Sequence, residues 1–216
     1  AQIICDLYYS DGSPSAIAPR QVLKNIIGLL DEEELKAVVA PELEFYLCEQ
    51  NLDPDLPLKT PRGKSGRREK GSRVFGIDAV NEFDDLTDDI YDYCEILKIG
   101  VDTLIHESGP SQIEINLNHG DPLQLADQAF MFKRAVRQVA LKHGIHATFM
   151  SKPYQGHPGS SMHIHQNILS KKTNKNIFSD VDGNNTEEFF HFIGGLQTYL
   201  PDAMLFFAPY VNSYRR

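Results

Sequence analysis

Apolar residues recur at intervals of three and four in four segments of the chain, which is the period of an amphipathic helix. The clearest segment follows Asp121, a residue type that caps helix N-termini, and Pro122, which suits a first turn. Two basic residues and Gly144 end it. The predicted helices cover about Pro19–Leu30, Asn81–Lys98, Pro122–Lys142 and a segment that starts at Thr186 and ends before Pro201.

Between these helices, apolar and polar residues alternate with the period of two that is typical of β-strands. Strands are predicted at Ala1–Tyr9, Ala37–Cys48, Thr103–Glu107, Gln112–Leu117, His146–Met150 and Ser161–Ile168. The segment Asn51–Arg73 is rich in Pro, Gly and basic residues, which predicts a long exposed loop. Its Gly63-Lys64-Ser65 string is similar to the end of a Walker A motif, but Leu58 stands where that motif requires Gly.

Three of the predicted strands carry polar faces of unusual composition. Side chains two residues apart on a strand point to the same face. The three shared faces are Glu42 with Glu44; Gln112 with Glu114 and Asn116; and His163 with His165 and Asn167. A fourth strand ends at Glu107, just before a Ser-Gly-Pro turn. Each face is opposed by apolar residues, so each strand has one polar and one apolar side.

A polar face on a single strand usually lies in water, and such faces normally mix Lys, Arg, Ser, Thr and Glu. Lys and Arg are absent from all three faces here. Four carboxylates that converge in a low-dielectric cleft would repel one another, and bound cations relieve that repulsion. Glu ligands with a His favour Mg²⁺ or Mn²⁺ over zinc. We therefore predict a site for two or more such ions, as in phosphoryl-transfer enzymes.

Composition narrows the function classes further. The net charge of −9 argues against a nucleic-acid-binding protein, since phosphate backbones are bound through clustered Lys and Arg. No apolar run approaches the roughly 20 residues of a membrane span. Three widely spaced cysteines, Cys5, Cys48 and Cys94, fit neither a disulfide scaffold nor a Cys-based zinc site. They indicate a reducing compartment, and we expect a cytoplasmic protein.

Five ordered motifs give the chain a family resemblance. Ala40–Leu47 resembles the first metal-ligand strand of the glutamine synthetase family, and Glu107–Glu114 resembles its second carboxylate motif. The other three are the helix through Ala126-Asp127 and Phe132-Lys133-Arg134, which matches in spacing; His146–Pro153 with Gly159–His165, which resembles the ATP-site signature; and Asn212–Arg216, which is similar to the Asn-Ser-Tyr-Lys-Arg element. Together these motifs span nearly the whole chain.

The resemblance implies a role for each matched residue. Glu44, Glu107 and Glu114 would hold one metal ion; Glu42 and His163 would hold another, with a carboxylate from further downstream. His165 and Asn167 fall where the family contacts nucleotide phosphate and ATP, with Asn167 in place of the usual Ser. Gly159 belongs to the glutamate-binding loop. Arg216 belongs to the catalytic arginines that receive the substrate carboxylate.

One departure from the family pattern bears on the substrate. In glutamine synthetases an Asn normally precedes the loop glycine, whereas Pro158 stands there in this chain. The surrounding motifs are most similar to the γ-glutamylputrescine synthetase branch, which also lacks this Asn. The resemblance thus implies an ATP-dependent ligase that joins glutamate to a polyamine or other organic amine through γ-glutamyl phosphate. The alternatives are a glutamine synthetase that uses ammonia, a non-catalytic scaffold of the family and an unrelated β-rich metal hydrolase.

The resemblance also implies the architecture. The expected fold is α+β, a curved and largely antiparallel sheet with helices on its outer face and the metals on its inner face, as in the glutamine synthetase and guanido kinase catalytic domains. Residues 1–18 would follow a missing N-terminal β-grasp domain, and residues 19–216 would form a truncated part of the catalytic domain. Family active sites form between subunits of ring-shaped homo-oligomers, so we expect this piece alone to be inactive.

Overall fold

The computed structural model of the chain describes residues 2–71 and 73–215. It contains five strands, five α-helices and a short 3₁₀-helix within that part of the chain. In chain order the elements are α1 (Pro19–Glu32), β1 (Leu35–Glu49), α2 (Ile77–Asn81), α3 (Asp84–Ile96), β2 (Val101–His106), β3 (Gln112–Leu117), α4 (Pro122–Lys142), β4 (Ile145–Thr148), β5 (Met162–Ser170), α5 (Glu187–Phe207) and the 3₁₀-helix Val211–Arg215.

The five strands form one sheet in the order β2-β3-β1-β4, and β5 also pairs with β1. The β1–β3, β1–β4 and β2–β3 pairs are all antiparallel. Glu44 lies opposite Glu114, and Glu42 lies opposite Asn116 in the β1–β3 register. The predicted α+β class with a largely antiparallel sheet is therefore confirmed. This register brings two polar faces predicted from separate strands side by side.

The chain divides into two compact units. One consists of Ala1–Ala40, His119–Asp127 and His165–Ala203, and the other of Pro41–Asn118, Gln128–Ile164 and Met204–Arg216. The second unit contains the carboxylates of β1 and β3 together with Glu107, Gly159 and His163. His165 and Asn167 belong to the first unit. The boundary predicted after residue 18 stays a prediction.

The core of the second unit follows the apolar pattern of the sequence. Leu43, Phe45 and Leu47 of β1 are buried, as are Ile113, Ile115 and Leu117 of β3. Helix α3 buries Leu86, Ile90 and Cys94, which stand four residues apart and so share one face. Phe149 packs against Phe45 and Phe132 at ring-centroid distances of 5.2 and 6.5 Å. The sheet that carries the polar faces is thus fixed from its apolar side.

Helix α1 of the first unit is held by polar contacts. Arg20 hydrogen-bonds to the carboxylates of Asp6 and Asp127. Val39 and Gly120 exchange two backbone hydrogen bonds of 3.1 and 2.9 Å. The N-cap predicted at Asp121 is confirmed, since its Oδ1 accepts a 2.9 Å hydrogen bond from the backbone N–H of Gln124.

Two sequence predictions about local structure were wrong, and the bounds of one helix shift by two or three residues. The strand expected over Ala1–Tyr9 does not form from Gln2 onward, where the only bridge joins Tyr8 to Pro14, because no strand within the described part of the chain pairs with it. The helix expected over Asn81–Lys98 is present as α3, Asp84–Ile96, and the separate short helix α2 precedes it. Helix α5 continues through Pro201 to Phe207 instead of ending before it. A proline inside a helix removes one hydrogen bond and crowds the carbonyl four residues before it, which can kink a helix without ending it.

The loop prediction for residues 51–73 is confirmed. Its described residues form turns and a single isolated bridge between Arg62 and Arg68. Among the helices of residues 2–71 and 73–215, none is both long and apolar enough to cross a membrane.

Candidate metal and substrate site

Three predicted ligands meet at one point of the second unit. Glu42 on β1, Glu114 on β3 and His163 on β5 each offer a ligand atom, and these atoms lie within 4.8 Å of one another. His163 Nδ1 lies 3.1 Å from a carboxylate oxygen of Glu42. Strand pairing explains the meeting, because β1 has β3 as one neighbour and β5 as another. The three residues come from positions 42, 114 and 163, and only the sheet brings them together.

The pKa of Glu114 reflects the burial and the negative charge of this group. Its side chain is only 6% exposed, and its pKa is raised to about 6. Burial is the largest cause, followed by the charges of Glu42, Glu107 and Glu44. A hydrogen bond from Asn116 opposes the shift. Three neighbouring carboxylates thus lie near enough to disfavour the ionised form of Glu114.

Glu44 is held in a different way. It is 7% exposed, and its Oε2 atom accepts two hydrogen bonds, from Gln112 Nε2 at 3.1 Å and from the backbone N–H of Ser161 at 3.0 Å. None of the described residues donates a hydrogen bond to Oε1. The two donors therefore fix the carboxylate and leave Oε1 as the oxygen available to a cation. Glu44 is not part of the group formed by Glu42, Glu114 and His163.

Glu107 lies just after β2, in the turn predicted from its Ser-Gly-Pro sequence. Its Oε2 accepts a 3.1 Å hydrogen bond from the N–H of Ser108, and its own N–H donates to the carbonyl of Gln112 at 2.9 Å. Its charge raises the pKa of both Glu114 and Tyr46. Glu107 therefore faces the same carboxylates, although it lies outside the tight group of Glu42, Glu114 and His163.

A buried pair that sequence reasoning missed supports this turn. His106 is fully buried; its Nε2 lies 2.9 Å from Glu69 Oε2, and its Nδ1 lies 2.8 Å from the carbonyl of Glu107. Glu69 Oε2 also accepts a 2.6 Å hydrogen bond from the N–H of Ser111. The available signal was weak: Glu69 is the only acidic residue in a strongly basic stretch of loop.

Gln112 and Tyr46 connect the carboxylates to the predicted glutamate loop. Gln112 Nε2 donates to the carbonyl of Gly159 at 3.1 Å, and Tyr46 Oη donates to the carbonyl of Pro158 at 2.8 Å. Both side chains are fully buried. The sequence pattern places Gln112 on the polar face without indicating a role for it, and Tyr46 lies within the first of the ordered motifs.

His165 and Asn167 are not among the residues of this group. His165 and Asn167 are exposed on β5 and belong to the other unit, where Asn167 Oδ1 accepts a 2.8 Å hydrogen bond from Asn176. Arg216 lies outside the described residues. The roles of these three residues stay predictions, and so does the division of the ligands between two ions.

The residues present fit a hard divalent cation. Oxygen donors dominate the set, with a single imidazole, which suits Mg²⁺ or Mn²⁺ better than zinc. Asn116 Oδ1 is also buried, and no described residue donates a hydrogen bond to it. A buried acceptor without a donor and a carboxyl with a raised pKa are both features that a cation would relieve.

Comparisons with known proteins define the class. The family model of the glutamine synthetase catalytic domain matches residues 16–216. Gamma-glutamylputrescine synthetase PuuA of Escherichia coli (strain K12) is 38% identical over 217 residues, covering 100% of this chain and 46% of that protein. Glutamine synthetase of Pyrococcus abyssi is 36% identical over 208 residues, covering 96% of this chain and 44% of that protein.

Solved structures agree with the sequence relatives. A glutamine synthetase of Plasmodium falciparum superposes with a TM-score of 0.84 at 25% identity, covering 98% of this chain and 46% of that chain. A structure described as "Apo GmaS without ligand" superposes with a TM-score of 0.82 at 28% identity, covering 98% of this chain and 48% of that chain. The chain belongs to the glutamine synthetase family. It spans about half the length of the relatives it matches.

Proposed function

We propose that the whole protein is an ATP-dependent ligase that joins the γ-carboxylate of glutamate to an organic amine. The single observation that carries the proposal is the group of Glu42, Glu114 and His163, with Glu44 and Glu107 beside it, in a chain of this family. The similarity to a gamma-glutamylputrescine synthetase supports a polyamine as the acceptor. In the balanced reaction, a glutamate oxygen attacks the γ-phosphorus of ATP, ADP leaves, and the amine displaces phosphate and loses a proton.

Glu42 and His163 would hold one Mg²⁺ or Mn²⁺, and Glu44, Glu107 and Glu114 another. When bound, such ions neutralise charge on the transferring phosphoryl group. The chain's own part is to keep these side chains in place. The hydrogen bonds from Gln112 and Ser161 restrain the carboxylate of Glu44, and the contact with Ser108 restrains that of Glu107.

Pro158 supports the choice of an organic amine over ammonia. Proline offers no side-chain amide and no backbone donor, so position 158 cannot donate a hydrogen bond to a substrate. Its carbonyl is occupied by Tyr46 Oη. The loop can therefore hold its shape through Tyr46 while position 158 presents an apolar ring, which suits an alkyl chain better than an ammonium ion.

We further propose that residues 19–216 form part of the catalytic domain, that the active enzyme is a ring-type homo-oligomer, and that His165, Asn167 and Gly159 bind nucleotide and glutamate with Arg216. The buried free thiols of Cys48 and Cys94 suit a reducing cytoplasm.

The test is ATP-dependent phosphate release by the full-length protein with glutamate and one acceptor at a time: putrescine, a longer polyamine, ethanolamine, a monoamine and ammonia. We expect release that depends on both glutamate and an organic amine, with a lower KM for the amine than for ammonia. Omission of glutamate and the Glu114→Gln variant are the controls, and both should abolish release.

The second candidate is a glutamine synthetase that uses ammonia, favoured by the 36% identity to the Pyrococcus abyssi enzyme. Release with ammonia alone would select it. A full-length protein that folds and binds Mn²⁺ but releases no phosphate with any acceptor would instead indicate a non-catalytic scaffold.

A further inference from the structure

Gln112 hydrogen-bonds to three separate segments of the second unit at once. It is the first residue of β3 and is only 1% exposed. Its Oε1 accepts from the N–H of Gly109 at 2.9 Å, in the turn that carries Glu107. Its Nε2 donates to Glu44 Oε2 and to the carbonyl of Gly159, both at 3.1 Å. A predicted metal ligand, the turn of a second one and the predicted glutamate loop thus share one buried amide.

Only a primary amide of this length can make these contacts. They require two donors and one acceptor in a single planar group, and a glutamate or methionine side chain offers no such donors. Each contact matters because a buried carbonyl or N–H that is left unpaired destabilises the folded state. Gln112 therefore connects all three segments by hydrogen bonds, and no substitution retains all three contacts.

Tyr46 strengthens the same connection from the facing strand. It lies directly opposite Gln112 in the β1–β3 register. Its hydroxyl donates to Pro158, the residue before Gly159, so paired positions on β1 and β3 hold two successive carbonyls of the loop. The tyrosine ring also occupies the space beside Gly109, where a Cβ would lie 1.8 Å from Oη. Tyr46, however, makes no hydrogen bond to Glu44.

We propose that Gln112 is a positioning residue that couples divalent-metal binding at Glu44 to glutamate binding at the Gly159 loop. The proposal rests on the proposed function and deepens it. Because one amide group donates to both sites, a cation that fixes Glu44 also fixes the amide and, through it, the Gly159 carbonyl. Such coupling is reciprocal, so glutamate tightens metal binding by the same factor that the metal tightens glutamate binding.

The test measures this factor in the full-length protein by calorimetric titration of Mn²⁺ with and without saturating L-glutamate. Gln112→Met keeps the volume and removes all three contacts. We expect its Mn²⁺ affinity to fall about tenfold, the order expected for a lost hydrogen bond to a charged group. The ratio of the two Mn²⁺ affinities should also fall to near one. Gln128→Met is the matched control, since Gln128 is partly exposed and its side-chain amide donates to the carbonyl of Lys98, far from the predicted ligands in the sequence.

A second variant separates coupling from a purely structural role. Tyr46→Phe loses the contact with Pro158 but leaves Glu44 untouched, so glutamate affinity should fall while Mn²⁺ affinity without glutamate stays within twofold. An unchanged affinity ratio in Gln112→Met overturns the proposal, even if both affinities drop. If Gln112→Met does not fold, Gln112→Asn, which is one methylene shorter, takes the same test with the same expected loss. Failure of wild-type protein to bind Mn²⁺ or glutamate would instead contradict the proposed function.

Discussion

The two sides of the candidate metal site are built differently. Glu44 and Glu114 lie in the sheet, 7% and 6% exposed, and Glu44 is fixed by donors from Gln112 and Ser161. His163 lies on β5, and 59% of its side chain is exposed. Buried ligands that are held by their own hydrogen bonds are positioned before a metal arrives. The exposed histidine depends more on the metal itself for its final orientation.

The buried side of the site constrains the sequence more strongly than the exposed side does. On the buried side, residues that would not bind the metal themselves hold its surroundings: Gln112 donates to Glu44, Tyr46 donates to the carbonyl of Pro158, and the His106–Glu69 pair supports the turn of Glu107. On the exposed side, water can replace a missing neighbour. Substitutions of the buried residues that hold the carboxylates should therefore affect both stability and activity, and substitutions on the exposed side should affect metal affinity alone.

The largest expected effect comes from the buried side. In Glu114→Gln, shape is preserved while a metal ligand loses its charge, so phosphate release should fall about a thousandfold, the upper range for loss of a group that stabilises transition-state charge. The midpoint of thermal unfolding in the metal-free protein should not fall, because the change also removes repulsion from Glu42, Glu44 and Glu107. Near-normal turnover in a folded variant would contradict the assignment of Glu114 to the metal site.

A smaller effect is expected on the exposed side. His163→Asn removes the imidazole, and Mn²⁺ affinity measured by calorimetry should fall ten- to a hundredfold, a range taken from changes around metal ligands. The free energy of unfolding without metal should change by less than about 0.5 kcal/mol, as for other exposed positions. His157→Asn is a matched control, since its ring packs edge-on against Tyr154 and lies outside the predicted ligands. A clear loss of stability in His163→Asn would refute the contrast between the two sides.

The sequence predicted the sheet and the ligand faces because both depend on local alternation. The period of two correctly placed Glu42 with Glu44 and Gln112 with Glu114, and the pairing of β1 with β3 then followed the polar faces. The errors have other causes. From Gln2 to Tyr9 the chain pairs with no strand of the described residues and forms a single bridge, Tyr8 to Pro14, so the predicted strand is not observed there. The helix end predicted before Pro201 is not observed, because an interior proline can kink a helix without ending it, and α5 runs to Phe207.

What the sequence could not supply is the set of contacts between distant segments. Glu69 lies in a loop predicted to be exposed, yet it pairs with the buried His106, 37 residues away. Gln112 reaches Gly159, 47 residues away, through a single amide. No periodicity encodes such contacts, because they depend on how loops pack over the sheet. The polar faces that carry the proposed ligands could be predicted, while the residues that hold those side chains in place could not.

The smallest effect concerns pH and tests the buried side again. The pKa of Glu114 is raised to about 6 by burial and by three neighbouring carboxylates, so protons compete with a cation there. Mn²⁺ affinity should fall up to about tenfold between pH 7 and pH 5, in line with the fraction of ionised carboxylate. In the metal-free protein the free energy of unfolding depends on pH with the opposite sign: Glu114 stabilises the folded state most at low pH, and this contribution is lost as the pH rises through about 6.

His163→Asn provides the control, because it removes the imidazole from the site. If its Mn²⁺ affinity no longer changes with pH, the competition belongs to the exposed histidine and not to Glu114.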